Sequence, residues 1–341
     1  MSADLKKLLR ATSRSFYLTL RVLPGRVRAQ IGLAYLLART TDTIADTEIV
    51  PLAQRLDALQ QLRLRILGRR PEPLNFGVLA KQQTLPPERM LLDRVEESIA
   101  LLQKFSAADQ QRIRGVLDII TGGQELDLQR FEGASGENII ALKSGIELDD
   151  YTYRVAGCVG EFWTQICRAH LFPHAELEDA QLFGDSIRFG KGLQLINILR
   201  DLPADLHKGR CYLPSLELEQ AGLMPSILLS PVNEPRFRPI YHRYLDLAEL
   251  HLQAGWNYTN GLPRRQVRIR LACAWPILIG ARTIQRLRGA SVLELRQGVK
   301  ISRGEVYWIL LHSTLAYPVS GVWRRLFAVK RKAVANNEKL R

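Results

Sequence analysis

Two pairs of aspartates in this chain have a spacing that could hold a cation. Asp42 and Asp46 lie four positions apart, and so do Asp201 and Asp205. In a helix this spacing places both carboxylates of a pair on one face, where their like charges repel. Mg²⁺ would relieve that repulsion, because it takes a few carboxylate ligands and fills its remaining positions with phosphate oxygens and water. The pairs predict a magnesium site, although either pair alone also fits a solvated helix face.

Other polar residues accompany each pair at helical spacing. Tyr35 and Arg39 precede the first pair, and Gln194, Asn197 and Arg200 precede the second. The sequence around them is otherwise apolar, and polar side chains buried in such surroundings need partners. Two such helices facing each other would form a cavity with acids and arginines at its rim. That arrangement suits a magnesium-bound diphosphate.

The elements that must position these residues are helices. Apolar residues recur at helical spacing almost throughout, and no sustained period-two alternation occurs, so the predicted fold class is all-α. The predicted helices span residues 27–46, 52–67, 86–104, 107–130, 147–170, 175–201, 236–260, 266–288 and 304–334. Pro203 is expected to break or kink its helix near Leu202, which would weaken the one-face argument for Asp205.

Nothing in the composition divides the chain, so residues 1–341 are expected to form a single domain and a monomer is favoured. The Pro/Gly-rich segments 69–87 and 209–239 are interpreted as surface loops, because similar helical segments continue on both sides. The four cysteines lack metal-ligand spacing and are expected to be reduced, buried thiols. The charged N-terminal segment is unlike a signal peptide, so a cytoplasmic location is expected.

The formal net charge of +14 is confined to one quarter of the chain. Residues 263–341 hold 17 Lys/Arg and three acids, so residues 1–262 sum to zero. Such a segment could meet lipid headgroups, a phosphorylated small molecule or nucleic acid, or could be a solvated basic face. No zinc finger, recognition helix or RNA-binding aromatic motif is present, and nucleic acid is therefore not an expected partner.

A long uncharged stretch lies within this basic segment. Residues 306–323 contain no charged side chain but include His312, Pro318 and Gly321, and we interpret them as buried or interfacial helices in preference to a transmembrane span. The expected location is peripheral, on the cytoplasmic face of a membrane. A non-catalytic basic helical protein that binds membrane or nucleic acid is the alternative of a different class.

Five sequence blocks, in order, resemble the squalene/phytoene synthase family. They are Ser13-Arg-Ser-Phe16, Asp42-Thr-Ile-Ala-Asp46, Tyr151-Thr-Tyr-Arg-Val-Ala-Gly-Cys-Val-Gly160, Gln194-x-x-Asn197-x-x-Arg200-Asp201-x-x-x-Asp205 and Gly209-Arg-Cys-Tyr-Leu-Pro214. The resemblance implies a single isoprenoid-synthase helical bundle with a central cavity. It also implies that the substrate is farnesyl diphosphate and that two molecules are joined head to head.

The resemblance also implies roles for individual residues. The implied magnesium ligands are Asp42, Asp46, Asp201 and Asp205, and the implied catalytic residues are Tyr151, Tyr35, Asp42 and Asp201. The implied substrate contacts are Arg14, Ser15, Phe16, Arg39, Gln194, Asn197, Arg200 and Arg210. In such a site magnesium and arginine would stabilise the departing diphosphate, and tyrosine faces would stabilise the allylic cation that it leaves. The chain departs from the family at Ala45, where many members have a glutamate.

The product depends on a reductant. Residues 299–304 resemble the basic flap of squalene synthases that use NADPH, with a departure at Ser302. The resemblance implies that Lys300 and Arg303 hold the phosphates of NADPH. Squalene, formed through presqualene diphosphate, is therefore the expected product. A phytoene or dehydrosqualene synthase that needs no reductant is the alternative.

Overall fold

The computed structural model describes residues 3–13, 16–294 and 299–327. The α-helices within these ranges are α1 (Ala3–Thr12), α2 (Phe16–Val22), α3 (Gly25–Ala45), α4 (Leu52–Ile66), α5 (Gly77–Lys81), α6 (Pro86–Asp93), α7 (Val95–Leu102), α8 (Ala107–Arg130), α9 (Gly145–Thr152), α10 (Cys158–His170), α11 (Asp179–His207), α12 (Ser215–Gln220), α13 (Glu234–Gly261), α14 (Val267–Gly289), α15 (Arg303–Ala316) and α16 (Ser320–Arg325). The predicted all-α class is confirmed.

The remaining regular structure is short. A π-helical turn, Tyr153–Gly157, joins α9 to α10, and 3₁₀ turns cover Pro225–Leu229, Pro231–Asn233 and Val292–Glu294. Strand β1 (Ile140–Ala141) pairs in parallel with β2 (Arg210–Cys211). Gly209, which precedes β2, has a φ of +81°, and a Cβ there would lie 2.3 Å from backbone atoms of Ser135. Only glycine fits this turn, and Arg210, the first residue of β2, follows it directly.

Helix α11 packs against α10, α13 and α14 and forms the centre of the bundle. The backbone of α11 directly contacts the backbone of residues 156–160, which form the end of the π-helical turn and the start of α10. A Cβ at Gly160 would lie 2.0 Å from Ser186 O, and a Cβ at Gly190 would lie 2.2 Å from Ala156 O. Both positions therefore require glycine, because any side chain would push the two helices apart.

Pro203 does not break α11, so the expectation of a break near Leu202 is wrong. The helix continues to His207. Proline removes the N–H that would bond the carbonyl of Leu199, one turn earlier. The hydroxyl of Tyr241, on α13, donates a hydrogen bond to Leu199 O at 3.0 Å and replaces that donor. Tertiary structure thereby satisfies the carbonyl that proline leaves without a partner.

Two clusters of buried apolar side chains support the bundle. One is built mainly on α3, α4, α8 and α10, the other mainly on α11, α13 and α14, and Phe189 packs against both. All four cysteines are buried and free, as predicted. Within the described ranges, no helix has the length and apolar character needed to cross a membrane.

Candidate active site

A cavity of about 420 Å³ opens inside the bundle between α3, α8, α10, α11 and α14. Its wall is mostly apolar, with residues such as Ile31, Ile120, Phe162, Trp163, Phe189, Leu193 and Cys273. Among the predicted site residues, Tyr35, Gln194 and Asn197 also line it. Apolar pockets with a few polar groups of this kind are typical of small-molecule sites.

The π-helical turn forms part of the cavity wall. Val155 and Ala156 belong to this turn and both line the cavity. A π-helical turn holds an extra residue relative to an α-helical turn and commonly occurs at functional sites. Here it lies where the backbone of Ala156 meets Gly190, so α11 and this wall touch directly along one side of the cavity.

The first aspartate pair lies at the C-terminal end of α3, where Asp42 is one turn beyond the cavity residue Ala38 and two turns beyond Tyr35. Arg39 contacts Asp42 at 3.6 Å, and Gln124 donates a hydrogen bond to the Asp42 carboxylate. Burial and the charge of Asp46 raise the pKa of Asp42 to about 6. Burial also raises the pKa of Asp46.

The second pair lies in the last two turns of α11, beyond the cavity residue Asn197. Arg200 binds Asp201 with two hydrogen bonds, of 2.9 and 2.5 Å. Burial and the charge of Asp201 raise the pKa of Asp205 to about 7. Because α11 is unbroken at Pro203, Asp201 and Asp205 share one helix face, as the spacing of the pair predicts.

Both pairs lie near helix C-termini, where the helix dipole places partial negative charge. Asp46 is the C-cap of α3, and Asp205 lies two residues before the end of α11. Four carboxylates and two helix ends thus bring negative charge together beyond the cavity-lining turns of α3 and α11, and we call this charged region the mouth. The raised pKa values of Asp42 and Asp205 reflect this crowding together with burial.

A fifth aspartate at the mouth, Asp127, was not predicted. The hydroxyl of Tyr212 donates a hydrogen bond to Asp127 Oδ2 at 2.9 Å, and its ring stacks on Tyr151 with centroids 4.7 Å apart. Burial raises the pKa of Asp127 to about 6. Burial and the nearby Asp127, Asp205 and Asp42 charges all raise the pKa of Tyr151. Tyr151 therefore lies among the acids and does not line the cavity itself.

Gln124 and Asp127 come from α8, a helix in which no site residue was predicted. They lie three positions apart on one face of α8, and Gln124 reaches Asp42 while Asp127 reaches Tyr212. Their spacing of three on one face of a predicted helix was the available signal. The sequence does not show which helix faces α3, so the pairing could not be predicted.

Two cations lie between the aspartate pairs. Arg210 contacts Glu48 at 3.2 Å and Lys208 contacts the same carboxylate at 3.6 Å. Their charges oppose the effect of burial on the pKa of both Asp46 and Asp205. With Arg39 and Arg200, these side chains give the mouth four cations that could bind an anionic group.

The mouth suits a divalent cation that is shared with a bound anion. In the described part of the chain, no three His, Cys, Asp or Glu side chains come close enough to hold a metal by themselves. Mg²⁺ normally binds one or two carboxylates together with substrate phosphates and retained waters, so it needs no such cage. The carboxylates of Asp42 and Asp205, with their partners Asp46 and Asp201, are oxygen ligands of the right type.

Other predicted site residues lie elsewhere. Arg286 of α14 donates a hydrogen bond to the carbonyl of Lys300 at 2.5 Å, and Arg303 is the exposed first residue of α15. The side chains of Lys300 and Arg303, the predicted NADPH ligands, do not line the central cavity. Phe16 is the first residue of α2, whereas Arg14 and Ser15 lie outside the described residues.

The protein is an all-α bundle with an apolar cavity, and two of the helices that line this cavity, α3 and α11, each continue into an aspartate pair. The family model for squalene/phytoene synthases matches residues 9–305, and this chain belongs to that family of head-to-head isoprenoid synthases. The family that the sequence blocks predicted is thereby confirmed.

Its relatives differ in product. A phytoene synthase of Cereibacter sphaeroides is 28% identical over 328 residues, covering 92% of this chain and 81% of the relative. A presqualene diphosphate synthase of Sinorhizobium fredii is 29% identical over 262 residues, covering 76% and 78%.

Solved structures share the fold. TcSQS in complex with the ligand E5700 has a TM-score of 0.76 at 21% identity, with 92% of this chain and 86% of that chain covered. A dehydrosqualene synthase has a TM-score of 0.63 at 19% identity, covering 93% and 95%.

Proposed function

We propose that this protein condenses two molecules of farnesyl diphosphate head to head, with Mg²⁺, through presqualene diphosphate. The observation that carries the proposal is the position of the two aspartate pairs, which lie one and two turns beyond the last cavity-lining residues of α3 and α11, Ala38 and Asn197. A diphosphate held between the pairs would place its prenyl chain in the cavity.

The charged side chains at the mouth would bind the diphosphate. Asp42, Asp46, Asp201 and Asp205 would hold Mg²⁺, which when bound neutralises phosphate charge and so favours departure of the diphosphate. Arg39, Arg200, Arg210 and Lys208 would contact the phosphate oxygens. Arg200 is paired with Asp201 and Arg39 with Glu88 at 2.8 Å, so both guanidinium groups already lie in fixed positions.

The cavity would protect the cation that remains. The hydroxyl of Tyr35 donates to Thr12 O at 3.1 Å, while Tyr35 also lines the cavity, where its ring can stabilise positive charge. The apolar wall excludes water that would otherwise trap the cation. Gln194 and Asn197 are polar groups of this wall that can orient the second substrate.

The second half of the reaction decides the product. The first condensation joins two prenyl groups and releases one diphosphate and one proton. Loss of the second diphosphate then leaves a cation, which either takes hydride from NADPH to give squalene or loses a proton to give a dehydrosqualene-type product. We propose squalene, with Lys300 and Arg303 as the NADPH phosphate ligands. The relatedness to phytoene synthases supports the alternative without reductant.

Product analysis tests both the head-to-head condensation and the identity of the product. The purified protein is incubated with farnesyl diphosphate and Mg²⁺, with and without NADPH, while diphosphate release and lipid products are measured. We expect diphosphate release that EDTA stops, presqualene diphosphate without NADPH, and squalene with it. The same hydrocarbon in both incubations would exclude squalene synthesis and support the alternative. No diphosphate release from farnesyl or geranylgeranyl diphosphate would refute the enzyme proposal and favour a non-catalytic binding protein.

A further inference from the structure

A stripe of six large apolar side chains is exposed along α15, α16 and the turn between them. Isolated exposed apolar residues are common on protein surfaces, whereas a group of this size is not. Its six members are between 45% and 67% exposed, and they are Tyr307, Trp308, Leu311, Leu315, Val319 and Val322. Apart from Tyr307, they recur at intervals of three or four residues, so they follow one helical face across the turn between α15 and α16. A contiguous apolar surface of this kind marks an interaction site.

The opposite face of α15 packs against the rest of the protein. Ile309, Ser313 and Ala316 are buried, and the indole of Trp275 on α14 donates a hydrogen bond to Ser313 Oγ at 3.2 Å. Helix α14 contributes Cys273 and Pro276 to the wall of the central cavity. The stripe therefore faces away from the cavity, with α14 between them.

The charges that follow Glu305 in the sequence of α15 and α16 have one sign. No acidic residue occurs between residues 306 and 337. Arg324 and Arg325 are exposed on α16, and neither makes an ion pair with another residue that the structure describes. Residues 328–341 add five Lys/Arg and one acid, directly after Phe327, which packs on Trp256. The sequence that follows the stripe is therefore basic.

A groove next to the stripe also presents basic side chains. It has a volume of about 360 Å³ and lies between α14, α15 and α16, where Trp308, His312, Arg282 and Arg325 line it. Trp308 and His312 stack with ring centroids 4.7 Å apart. Arg282 is held by Glu305, whereas Arg325 remains available for an anionic group.

We propose that the outer face of α15 and α16 docks on an anionic lipid bilayer. Aromatic and aliphatic side chains flanked by arginines are the composition of helices that lie in a membrane interface, where the apolar groups enter the acyl boundary and the cations meet the headgroups. A second copy of the chain would oppose cations to cations across the same surface, which disfavours a dimer here. The proposal concerns a surface on the far side of α14 and stands independently of the proposed reaction.

Sedimentation with vesicles tests the proposal. The full-length protein is mixed at low salt with vesicles of phosphatidylcholine alone or with phosphatidylglycerol, and the bound fraction is measured. We expect binding to the anionic vesicles that weakens in high salt. The variant Trp308→Ser/Leu311→Ser/Leu315→Ser should bind about tenfold or more weakly, and Arg324→Gln/Arg325→Gln should lose a similar factor. The matched control, Val78→Ser/Val232→Ser/Leu250→Ser, removes equally exposed apolar groups elsewhere and should bind as the wild type does.

Tryptophan fluorescence gives a readout that does not depend on the triple variant. Trp308 is 62% exposed, whereas Trp256 and Trp323 are 4% and 3% exposed. Brominated lipids should therefore quench the wild-type protein, and Trp308→Phe should remove most of that quenching. Wild-type binding by the serine triple variant, absence of quenching, or absence of binding to anionic vesicles would each overturn the proposal. A dimer in solution that the triple variant dissociates would assign the face to a second copy and overturn it too.

Discussion

The hydroxyl of Tyr241 bonds the carbonyl of Leu199, which is the carbonyl that Pro203 leaves without a helical donor. This single contact from α13 explains how α11 carries a proline between Asp201 and Asp205 and still presents both on one face. The second aspartate pair is therefore positioned by a neighbouring helix as well as by its own.

Tyr241→Phe should lower the free energy of unfolding by about 1–3 kcal/mol, because it leaves a buried carbonyl unsatisfied. In a Pro203→Ala background the helix regains its own donor, so the same substitution should cost much less. Chemical denaturation of the four proteins of this cycle measures the coupling. Tyr244→Phe is the control, because the hydroxyl of Tyr244 bonds Glu217 at 2.7 Å and not α11. Equal costs in both backgrounds would contradict the role of Tyr241.

Asp42→Asn and Asp201→Asn should each reduce kcat/KM by about a hundredfold or more, because each would remove a proposed magnesium ligand. Neither should unfold the metal-free protein, because the side chains of Asp42 and Asp201 are 45% and 43% exposed and their partners can turn to solvent. Turnover and thermal unfolding without metal test the two expectations. Asp57→Asn, on α4 outside the site, is the control. Turnover close to that of the wild type at limiting Mg²⁺ would refute the ligand assignment.

Magnesium should protect the protein more strongly as pH rises. The pKa values of Asp42 and Asp205, about 6 and about 7, lie above the ordinary value of 3.8 for an aspartate, so the folded state holds protons that the unfolded state loses. Stability without metal should therefore fall as pH rises from about 4 to about 7 and then level off. Mg²⁺ favours the ionised forms and competes with those protons.

Thermal unfolding with and without Mg²⁺ and pyrophosphate measures this dependence. The increase in Tm should be larger at pH 7.5 than at pH 5.5, because both carboxylates are then ionised and free to bind. Asp42→Asn should reduce the difference between the two pH values. An increase in Tm that is the same at both pH values would contradict the proposed involvement of these carboxylates.

Gly160→Ala should lower stability and turnover together. The new Cβ would lie 2.0 Å from Ser186 O, so α10 and α11 must separate and the cavity wall must shift. We expect a loss of about 1–3 kcal/mol, measured by denaturation, as for other overpacked interiors. Gly184→Ala is the control, because a Cβ at Gly184 meets no atom within 4 Å and should stabilise α11 slightly. Equal effects of the two substitutions would show that the close contact is unimportant.

Lys300→Ala and Arg303→Ala should each raise the KM for NADPH by about tenfold or more if these residues bind its phosphates. Diphosphate release in the first condensation should change little, because neither side chain lies at the cavity. Steady-state kinetics with varied NADPH measures the effect, and Lys104→Ala removes an exposed cation elsewhere as a control. An unchanged KM would exclude these two residues from NADPH binding.

The aspartate pairs could be identified from the sequence because a spacing of four on a helix already determines that two side chains share a face. The long periodic helices were predicted for the same reason. The short helices α1, α2, α5 and α12 were missed, since segments of this length are stabilised by packing and carry little periodic signal of their own.

The missed site residues depend on contacts between distant segments. Asp127 matters because Tyr212, 85 positions away, bonds it, and Gln124 matters because it reaches Asp42, 82 positions away. The predicted break at Pro203 failed for a related reason. The rule that proline interrupts a helix considers only the helix itself, whereas the missing donor comes from Tyr241 on α13. Roles for Lys300 and Arg303 rest on resemblance alone and stay predictions.

Cys273 places a thiol in the wall of a cavity that is proposed to hold allylic cations. A thiolate there would be alkylated by its own substrate, and the enzyme would inactivate itself within a few turnovers. Burial raises the pKa of Cys273 to about 12, so the sulfur stays protonated and weakly nucleophilic at any pH at which a cell operates. The absence of water from the cavity therefore has two effects. It prevents water from trapping the allylic cation, and it keeps Cys273 protonated so that the cation does not alkylate the protein.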